Sequence, residues 1–389
     1  MANTRVYYAT QAVGLRPANP ANAVFGGQVW PKGLQSVGIT TNFNLEQVFQ
    51  LGQLEIYDNV ENVPDVEVSL QKIADGTKFL YPICVEGTGT AFDVELGKVS
   101  TNRVEVKLRT YKDTSSDAFD AQDASAAYGE VTCSGMYLSS VAYTIPVEGF
   151  ITEDVTLVGN SKIFTNATGA GDGNDDDSAD LGNQLEPHKI GRRINLSTLS
   201  VLPTGTVANN KKAAVAGSDG TLGSIALNPR DAVEGDVGRE NRPYLQNINI
   251  SMDLGREAVF ELGKFSPYAR YATFPVEVSS EFEVLAESHD QIQAKDFDRV
   301  NACSTDIIKN VDDRPIKIVI CGKNPSADTY SIDLGKKNKL TSVNYGGGDA
   351  GGGNATITYS YQTFNKFKVD ASGTFKLTNA AVVVANPVS

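Results

Sequence analysis

The chain has 389 residues, enough for two or three domains, and its many β-branched and aromatic residues, broken by 36 Gly, favour β structure over helix. Its 34 basic and 47 acidic residues give a net charge of −13, which argues against a surface that wraps nucleic acid by neutralising phosphates. Residues 1–14 lack a basic segment followed by an apolar one, and no stretch approaches the about 20 apolar residues of a membrane span, so we expect neither a standard signal peptide nor a membrane segment.

The first predicted strand belongs to a pattern that occurs twice. It reads LQSVGITTNFNLEQVFQLG from Leu34 to Gly52 and LQNINISMDLGREAVFELG from Leu245 to Gly263. The two stretches align without a gap, and the match continues through Tyr57 with Tyr268 to Pro64 with Pro275. This repeat predicts an internal duplication, although similar composition among β-rich sequences is an alternative.

In both copies, apolar and polar residues alternate, which predicts strands with one buried and one wet face. The partner strands that follow alternate in the same way, with an acidic wet face, for which ordinary solvated sheet surface is the simpler explanation. The residues of the predicted dry faces are Val37, Ile39, Thr41, Phe43, Leu45, Val66, Val68, Leu70, Ile248, Ile250, Met252, Leu254, Val278, Phe282 and Val284.

Between these strands the alternation breaks and a Gly follows a cluster of apolar side chains. We expect a turn anchored by Phe49, Leu51, Phe260 and Leu262, with the Gly at positive φ.

Looser matches continue along both copies in the same order. They are PDVEVS (Pro64–Ser69) with PVEVSS (Pro275–Ser280), with one residue of slippage that matches Val68 to Val278, FDVELGK ending at Lys98 with YSIDLGK ending at Lys336, and AYTIPVEGFITEDVTLVGN (Ala142–Asn160) with SYQTFNKFKVDASGTFKLTN (Ser360–Asn379). The predicted organisation is therefore an N-terminal arm (1–31), a first domain (32–164), a Gly/Asp-rich connector or small insertion (165–242), a second domain (243–385) and a C-terminal tail (386–389).

Three motifs suggest ligands and are better explained without them. GAGDGNDDDSAD, from Gly169 to Asp180, has the first acidic spacings of a calcium loop but Asp177 and Asn183 at its Gly and Glu positions. YGGGDAGGGN, from Tyr345, lacks the ending of a phosphate-binding loop and is typical of a hairpin tip. HKIGRR, from His188, is an exposed basic cluster.

The cysteines and histidines are too far apart in sequence to predict a zinc site. We expect reduced and mostly buried thiols, in a protein assembled in a reducing cytoplasm. These residues are Cys84, Cys133, Cys303, Cys321, His188 and His289.

LQNINISMDLGREAVFELGKFSPYARYATFPVEVS, which begins at Leu245, and VEGFITEDVTLVGNSKIF, from Val147 to Phe164, resemble sequences of the tail tube proteins of tailed bacteriophages. The resemblance covers both copies, about two thirds of the chain, and leaves out the connector. It implies a mainly β fold, with two duplicated β-sandwich or barrel domains, each flanked by a helix. It also implies that hairpins of neighbouring domains close into an inner barrel, with six domains to a ring. Two domains per chain would then give rings of three chains with pseudo-sixfold symmetry.

On this resemblance we expect an acidic lumen that repels DNA phosphates, together with contacts between subunits made by the Leu-Gly turns, the arm from Tyr7 to Pro31 and the loop from Asp113 to Tyr128. For Trp30 the alternative is packing under its own domain. The predicted lumen residues are Asn42, Asn44, Glu67, Ser69, Gln71, Asn249, Asp253, Glu277, Ser279, Glu281 and Glu283. The predicted contact residues are Tyr7, Trp30, Phe49, Leu51, Phe260 and Leu262.

The expected function is that of a structural virion protein that polymerises into the hollow tail and conducts DNA during ejection. We expect no enzymatic activity, cofactor or metal, because no nucleophile lies near a base in a suitable motif. The expected partners are copies of itself, the tape measure, terminator, baseplate hub and sheath proteins, and passing DNA. A tail hub or tube initiator, and a carbohydrate-binding or receptor-binding β-sandwich module, are the alternatives. The last would expose aromatic residues on a wet strand face, which these strands lack.

Overall fold

In the computed structural model of this chain, placement is described for most of the two repeat regions. The described residues are 6, 8–17, 29–86, 93–99, 102–111, 127–166, 244–260, 262, 267, 269–286, 315–321, 329–347 and 353–372.

The alternating sequence produces strands nearly everywhere in the described residues. The strands are β1 (Gln11–Pro17), β2 (Leu34–Asn42), β3 (Leu45–Phe49), β4 (Ile56–Glu61), β5 (Asp65–Ile73), β6 (Asp93–Glu95), β7 (Arg103–Tyr111), β8 (Ala127–Pro146), β9 (Thr152–Gly159), β10 (Ser161–Asn166), β11 (Tyr244–Asp253), β12 (Glu257–Val259), β13 (Ala269–Tyr271), β14 (Glu277–Leu285), β15 (Lys317–Cys321), β16 (Thr329–Asp333), β17 (Lys339–Gly346), β18 (Thr356–Phe364) and β19 (Lys368–Ala371). The α-helices are α1 (Leu80–Glu86) and α2 (Leu96–Val99), and a 3₁₀ turn covers Tyr8–Thr10.

Most strands belong to one large antiparallel sheet with the order β2-β5-β9-β8-β11-β14-β18-β17. The long strand β8 extends beyond this path and pairs there with β7 and β10, and β7 in turn pairs with β1. A second sheet has the order β15-β16-β19-β6, so it combines one strand from the first repeat region with three from the second. The fold is therefore mainly β, as predicted.

The large sheet consists of two strand quartets with the same internal order. In chain order the first quartet is β2, β5, β8, β9 and the second is β11, β14, β17, β18, and both are arranged first, second, fourth, third. The third strand of the first quartet, β8, pairs with the first strand of the second, β11.

Local irregularities also recur at equivalent places in the quartets. The β2-β5 register shifts between Leu34 and Ser36, and the β11-β14 register shifts between Leu245 and Asn247, which are their matched residues. A second shift lies between Leu138 and Ser140 of β8 and between Leu340 and Ser342 of β17. Because a bulge moves every later residue relative to its partner, recurrence of both bulges fixes the equivalent positions in the quartets.

The register corrects two of the looser sequence matches. Val68 is the counterpart of Ser280, because these residues lie opposite the matched pair Ile39 and Ile250. PDVEVS was therefore matched two residues away from its structural counterpart, and the faces were still predicted correctly because strand periodicity is two. The counterpart of β9 is β18 by sheet position, so the match of Ala142–Asn160 with Ser360–Asn379 is wrong.

The core lies between the dry face of the large sheet and a layer formed by the second sheet and α1. The rings of Phe79 and Tyr330 are 4.3 Å apart, and those of Tyr81 and Phe367 are 5.2 Å apart, which joins α1 to the second sheet. Burying each such side chain contributes about 2 kcal/mol. The buried residues form one cluster across both quartets, so the two predicted domains share a sheet and a core, and their separate boundaries stay a prediction.

Part of the segment predicted as a free arm is built into the chain itself. β1 pairs along its length with β7, and Leu15 and Val29 are buried and joined by two backbone hydrogen bonds of 2.7 Å. Helices flank the first quartet only, as far as the described residues go, and the predicted connector lies almost wholly outside them.

Candidate functional site

The most extensive feature is one polar side of the large sheet, which we call the polar face. Directly opposed residues of antiparallel strands lie on the same face. One row crosses all eight strands, in the order Ser36, Gln71, Asp154, Ala142, Ser251, Ser279, Gln362 and Lys339. The wet faces of both repeats thus form a single surface. Neighbouring rows add Gly38, Thr40, Asn42, Glu67, Ser69, Ser140, Thr144, Thr156, Asn249, Asp253, Glu277, Glu281, Glu283, Ser342, Asn344, Thr358 and Ser360.

Acidic side chains dominate the charge of the polar face. Along the eight strands of the path, Lys339 at one edge is the basic residue of the described rows, and Arg103 of β7 lies at the end of the row that contains Glu67. A wall with this balance has a negative potential and repels phosphate groups. The acidic residues are Asp65, Glu67, Asp154, Asp253, Glu277, Glu281 and Glu283.

All predicted lumen residues except Asn44 lie on the polar face. They are Asn42, Glu67, Ser69, Gln71, Asn249, Asp253, Glu277, Ser279, Glu281 and Glu283. Their position in a lumen stays a prediction, since a lumen needs further chains.

Asn44 lies in the turn after β2 instead. Its φ is 46°, and its Nδ2 donates to the Val63 carbonyl at 3.0 Å and to Asp65 Oδ2 at 2.8 Å. The alternation ends before this residue, so its side chain braces the start of β5. We therefore correct the expectation that Asn44 extends the wet face.

The two quartets meet at a junction inside the chain, which we call the internal junction. It pairs Ser140–Pro146 of β8 with Asn247–Asp253 of β11. Beyond the paired segment, the Leu254 backbone nitrogen donates to the Ser139 carbonyl at 2.8 Å, and Ser139 is the bulge residue of β8. The bulge therefore supplies an acceptor that extends the junction.

A pair of arginines, Arg256 and Arg270, secures the internal junction; we call it the arginine clamp. The Nε of Arg256 donates to the Leu138 carbonyl at 2.6 Å, and its guanidinium lies 5.4 Å from the centre of the Tyr137 ring. Burial lowers the pKa of Arg256 to about 10, against the opposing effect of Tyr137.

The second arginine of the clamp reaches β5 and the turn after β9. Arg270 donates to the Asp65 carboxylate and, at 3.1 Å, to Asn160 Oδ1. Burial acts to raise the pKa of Asp65, but hydrogen bonds from Asn44 and Arg270 and the charge of Arg270 hold it below its ordinary value.

The two outer strands of the path, β2 and β17, each have one pairing edge with no partner strand among the described residues. Side chains next to these edges are less covered than their counterparts at the internal junction. Phe43 is 60% exposed where its counterpart Leu254 is 1% exposed, and Tyr345 is 51% exposed where Tyr143 is 1% exposed. Unpaired edges of this kind bind other strands readily.

Each quartet also carries an exposed hairpin, β3-β4 in the first and β12-β13 in the second. The hairpins have the same register, because Val48 pairs with Asp58 and the matched Val259 pairs with Ala269. Gly52 has a φ of +88°, which confirms its predicted turn conformation, whereas Gly263 is outside the described residues.

The apolar side chains of these hairpins face solvent in the isolated chain. Phe49, Leu51, Phe260 and Leu262 are all exposed, so the expectation that they anchor the turns is wrong. Their exposure leaves them available for contacts between subunits, and that role stays a prediction.

The remaining predicted contact residues do not form a surface. Trp30 is fully buried, with the Arg109 guanidinium 5.3 Å from its ring centre, so it packs inside its own chain and cannot be a surface anchor. Tyr7 and the loop up to residue 126 lie outside the described residues.

A buried carboxyl group lies beneath the polar face. Glu153 accepts hydrogen bonds from the Leu80 and Tyr81 backbone nitrogens at the start of α1 and from the Tyr143 hydroxyl at 2.7 Å. Tyr143 also contacts the Tyr330 hydroxyl at 3.1 Å. Burial raises the pKa of Glu153 to about 7, and its hydrogen bonds and Lys72 oppose this. The cluster connects β9, α1 and the second sheet and is enclosed, so we assign it to stability.

Other site chemistry is sparse in the described part of the chain. No three His, Cys, Asp or Glu side chains there lie close enough to bind a metal, and no helix there is long and apolar enough to span a membrane. Cys84 and Cys133 are free thiols in the core, as predicted for these two. Residues 169–180, 188–193, Cys303 and His289 lie outside the described residues.

The arginine clamp was missed from the sequence, although the repeat contained a signal for it. In the ungapped alignment Arg256 and Arg270 fall on Leu45 and Asn59, so these are positions where the two copies differ in charge. The repeat was recognised from the positions where the copies agree, and the clamp lies where they differ.

Comparisons with known proteins add little. No family model and no curated protein matches the sequence. Among solved structures, one similar chain comes from the cryo-EM structure of the anti-feeding prophage baseplate, six-fold symmetrised, with a TM-score of 0.30 and 8% identity over 43% of this chain and 99% of that chain. A TM-score this low carries no argument, so the functional proposal depends on the geometry of the sheet and its edges.

Proposed function

We propose that this chain is a structural subunit of a bacteriophage tail, which polymerises through its sheet edges into stacked rings that form the tail tube. The observation that supports this most strongly is the continuous polar face, which crosses both quartets and ends at two edges without a partner strand among the described residues. A closed ring would pair both edges and leave an open barrel with a polar wall.

The proposal includes a duplication in which each quartet with its hairpin is one tube domain. Equal strand order, equal bulge positions and equal hairpin register support it. Each chain would then supply two of the domains in a ring.

Barrel geometry favours three chains per ring over two. With strands about 4.8 Å apart and tilted by about 40°, three chains of eight strands enclose about 48 Å between backbones, and two chains enclose about 32 Å. Side chains occupy about 5 Å at each wall, since packed sheets lie about 10 Å apart. The larger opening, about 38 Å, lets a DNA duplex pass without touching an acidic wall, whereas the about 22 Å left by two chains forces contact.

The polar face is suited to this passage because it has few of the side chains that DNA binds. Phosphates are held by Lys and Arg, and the described rows are mainly acidic, with Lys339 at one edge and Arg103 of β7 as the basic residues. Small hydroxyl and amide side chains fill most positions between the carboxylates, and Ser36–Asn42, Asp65–Gln71, Asn247–Asp253 and Glu277–Glu283 place no aromatic residue on this face. The neighbouring strands add Tyr137 and, at the end of β18, Phe364.

Electron microscopy of the purified protein tests the assembly. Stacked hollow rings are the expected result. Single rings that do not stack would favour a hub or tube initiator, and monomers that bind glycans would contradict the proposal in favour of a surface-binding module.

Charge reversal tests the conduit separately from assembly. Replacing Glu277, Glu281 and Glu283 together by Lys should leave polymers intact but make them retain DNA in a salt-dependent way and impair DNA delivery. A matched pair of single variants, Glu281→Lys on the polar face and Asp370→Lys on the second sheet, separates position from net charge. Equal DNA retention by both would contradict the assignment of the polar face to the lumen.

A further inference from the structure

We propose that neighbouring copies of this chain join as the two quartets join within it, with β17 of one copy paired antiparallel to β2 of the next and Asn344 opposite Thr40. We call this contact the external junction. It rests on the proposed function, because it is the contact that would close the ring. The occupant of each free edge is thus a second copy of this chain.

The register follows from the internal junction. β11 is the counterpart of β2, and β8 is the counterpart of β17, with bulges at equivalent places in each pair. Ser251 lies opposite Ala142 within the chain, and their counterparts are Thr40 and Asn344. The same transfer places Ile39 opposite Tyr345.

Backbone hydrogen bonding extends the external junction by one residue. Within the chain, the nitrogen of Leu254 donates to the carbonyl of the bulge residue Ser139. Their counterparts are Phe43 and Thr341, and Thr341 is the bulge residue of β17. The Phe43 nitrogen of the copy that supplies β2 should therefore donate to the Thr341 carbonyl of the copy that supplies β17.

The burial of side chains along the two edges agrees with a second copy of this chain as the partner. The dry-face residues Ile248 and Ile250 are buried at the internal junction, whereas their counterparts Val37 and Ile39 are only half-buried. A second copy placed in the same register would cover these residues as well as Phe43 and Tyr345. In this register the half-buried Ile39 meets the exposed Tyr345, so each edge covers an apolar side chain of the other.

The first hairpin, β3-β4, would lie across the external junction as β12-β13 lies across the internal one. Its contacts would differ because Leu45 and Asn59 replace Arg256 and Arg270. The counterpart of Asp65, which Arg270 binds, is Glu277, because Asn42 lies opposite Asp65 and β14 follows the same register. Asn59 would therefore approach an unclamped Glu277, and the external junction would lack an ion pair that the internal junction has.

Cysteine cross-linking tests the register. Opposed residues of antiparallel strands have Cβ atoms about 5 Å apart, close enough for a disulfide after small adjustments. Under mild oxidation, Thr40→Cys with Asn344→Cys should give a ladder of covalent oligomers that ends at the closed ring. Thr40→Cys with Ser342→Cys, a register shift of two residues, should give at most a tenth as much, and each single variant controls for the native thiols.

Micrographs of the same samples separate this inference from the proposed function. Rings that cross-link through Ser342→Cys, or through neither pair, would overturn the external junction and leave the tube proposal standing. Absence of both rings and cross-links would overturn both.

A substitution that adds an ion pair across the external junction provides an independent test of where the hairpin lies. Asn59→Arg should form an ion pair with Glu277 of the neighbouring copy that supplies β17, and should lower the protein concentration at which rings form by about fivefold. Glu277→Gln should abolish that gain. If Asn59→Arg lowered this concentration equally with and without the Glu277→Gln substitution, the placement of the hairpin would be contradicted.

Discussion

The internal junction and the two outer edges of the large sheet, which have no partner strand among the described residues, are built from equivalent strands, yet they differ in what covers them. At the internal junction, Leu254 and Tyr143 are buried, and the arginine clamp holds a hairpin across the seam. At the free edges, Phe43 and Tyr345 are exposed, and Leu45 and Asn59 occupy the clamp positions. One strand arrangement can therefore be either a permanent contact or an assembly contact, depending on the few residues that cover it.

Edges of this kind are a hazard unless they have a designated partner. Natural sheets protect edge strands with charges, prolines, bulges or short length. Here each edge strand has a bulge near its start, but β2 has nine residues without Lys, Arg or Pro, and in β17 the one basic residue, Lys339, is the first, so most of each edge is unprotected. This lack of protection is expected of edges that must pair in the assembled particle.

Substituting lysine at equivalent positions of the internal and external junctions gives the largest expected effect, on folding at the first and on assembly at the second. Ile250→Lys buries an unpaired ammonium in the core and should cost more than about 4 kcal/mol, enough to prevent folding. Ile39→Lys lets the ammonium reach solvent at the edge, so the chain should fold and remain monomeric. Circular dichroism and sedimentation velocity measure both properties. An assembled Ile39→Lys variant would contradict the assignment of β2 as an assembly edge.

The second-largest expected effect is on the pH dependence of stability, and it comes from Glu153, the buried carboxyl group next to the internal junction. Since burial raises the pKa of Glu153 from 4.5 to about 7, the folded state holds the proton more tightly than the unfolded state. The stability from this group is fully present below pH 4.5 and is lost as pH rises to about 7, by about 3 kcal/mol.

Glu153→Gln checks that pH dependence in chemical unfolding experiments. The variant should be less stable at pH 4.5, because one amide oxygen cannot accept all three hydrogen bonds, and the wild-type advantage should shrink toward pH 7. Glu281→Gln, on the exposed polar face, is the control and should keep the wild-type slope. A constant difference between Glu153→Gln and wild type across this range would contradict the assignment.

The sequence was sufficient to predict the faces of the strands in the large sheet, but it predicted a turn where the β3-β4 hairpin lies, and Leu45, predicted on the dry face, is exposed in that hairpin. Val66, Val68 and Leu70 are buried and Glu67 and Ser69 are exposed, because a period of two needs only the correct parity. The sequence did not predict that β8 pairs with β11, because strand neighbours depend on contacts far apart in the chain.

The positions of other predicted site residues could not be deduced from the sequence, because each depends on local structure that the pattern of residues does not show. A lone Trp such as Trp30 fits a core and an interface equally well, and here it is in the core. Asn44 has the sequence spacing of the wet face, but β2 ends at Asn42 and Asn44 adopts a left-handed turn conformation. The exposure of Leu51 and Leu262 reflects a hairpin that extends away from the core.

Removing the clamp gives the smallest expected effect and sharpens the comparison further. In the monomeric Ile39→Lys background, Arg270→Ala should lower stability by about 1 kcal/mol, because Asp65 and Asn160 lose a charged donor at a partly exposed site. Asn59→Ala in the same background should change it by less than about 0.5 kcal/mol, since its contact forms only between chains. Thermal unfolding measures both. Equal losses would show that the two hairpins have the same role within one chain.

A cryo-EM reconstruction of the assembled protein, with its strands traced, tests the central claim most directly. The account predicts a closed barrel in which eight strands from each chain follow one another, β17 joins β2 of the next copy, and Glu67, Asp253 and Glu281 line the central opening. A reconstruction with these carboxylates on the outer surface, or with both edges unpaired in the particle, would contradict it.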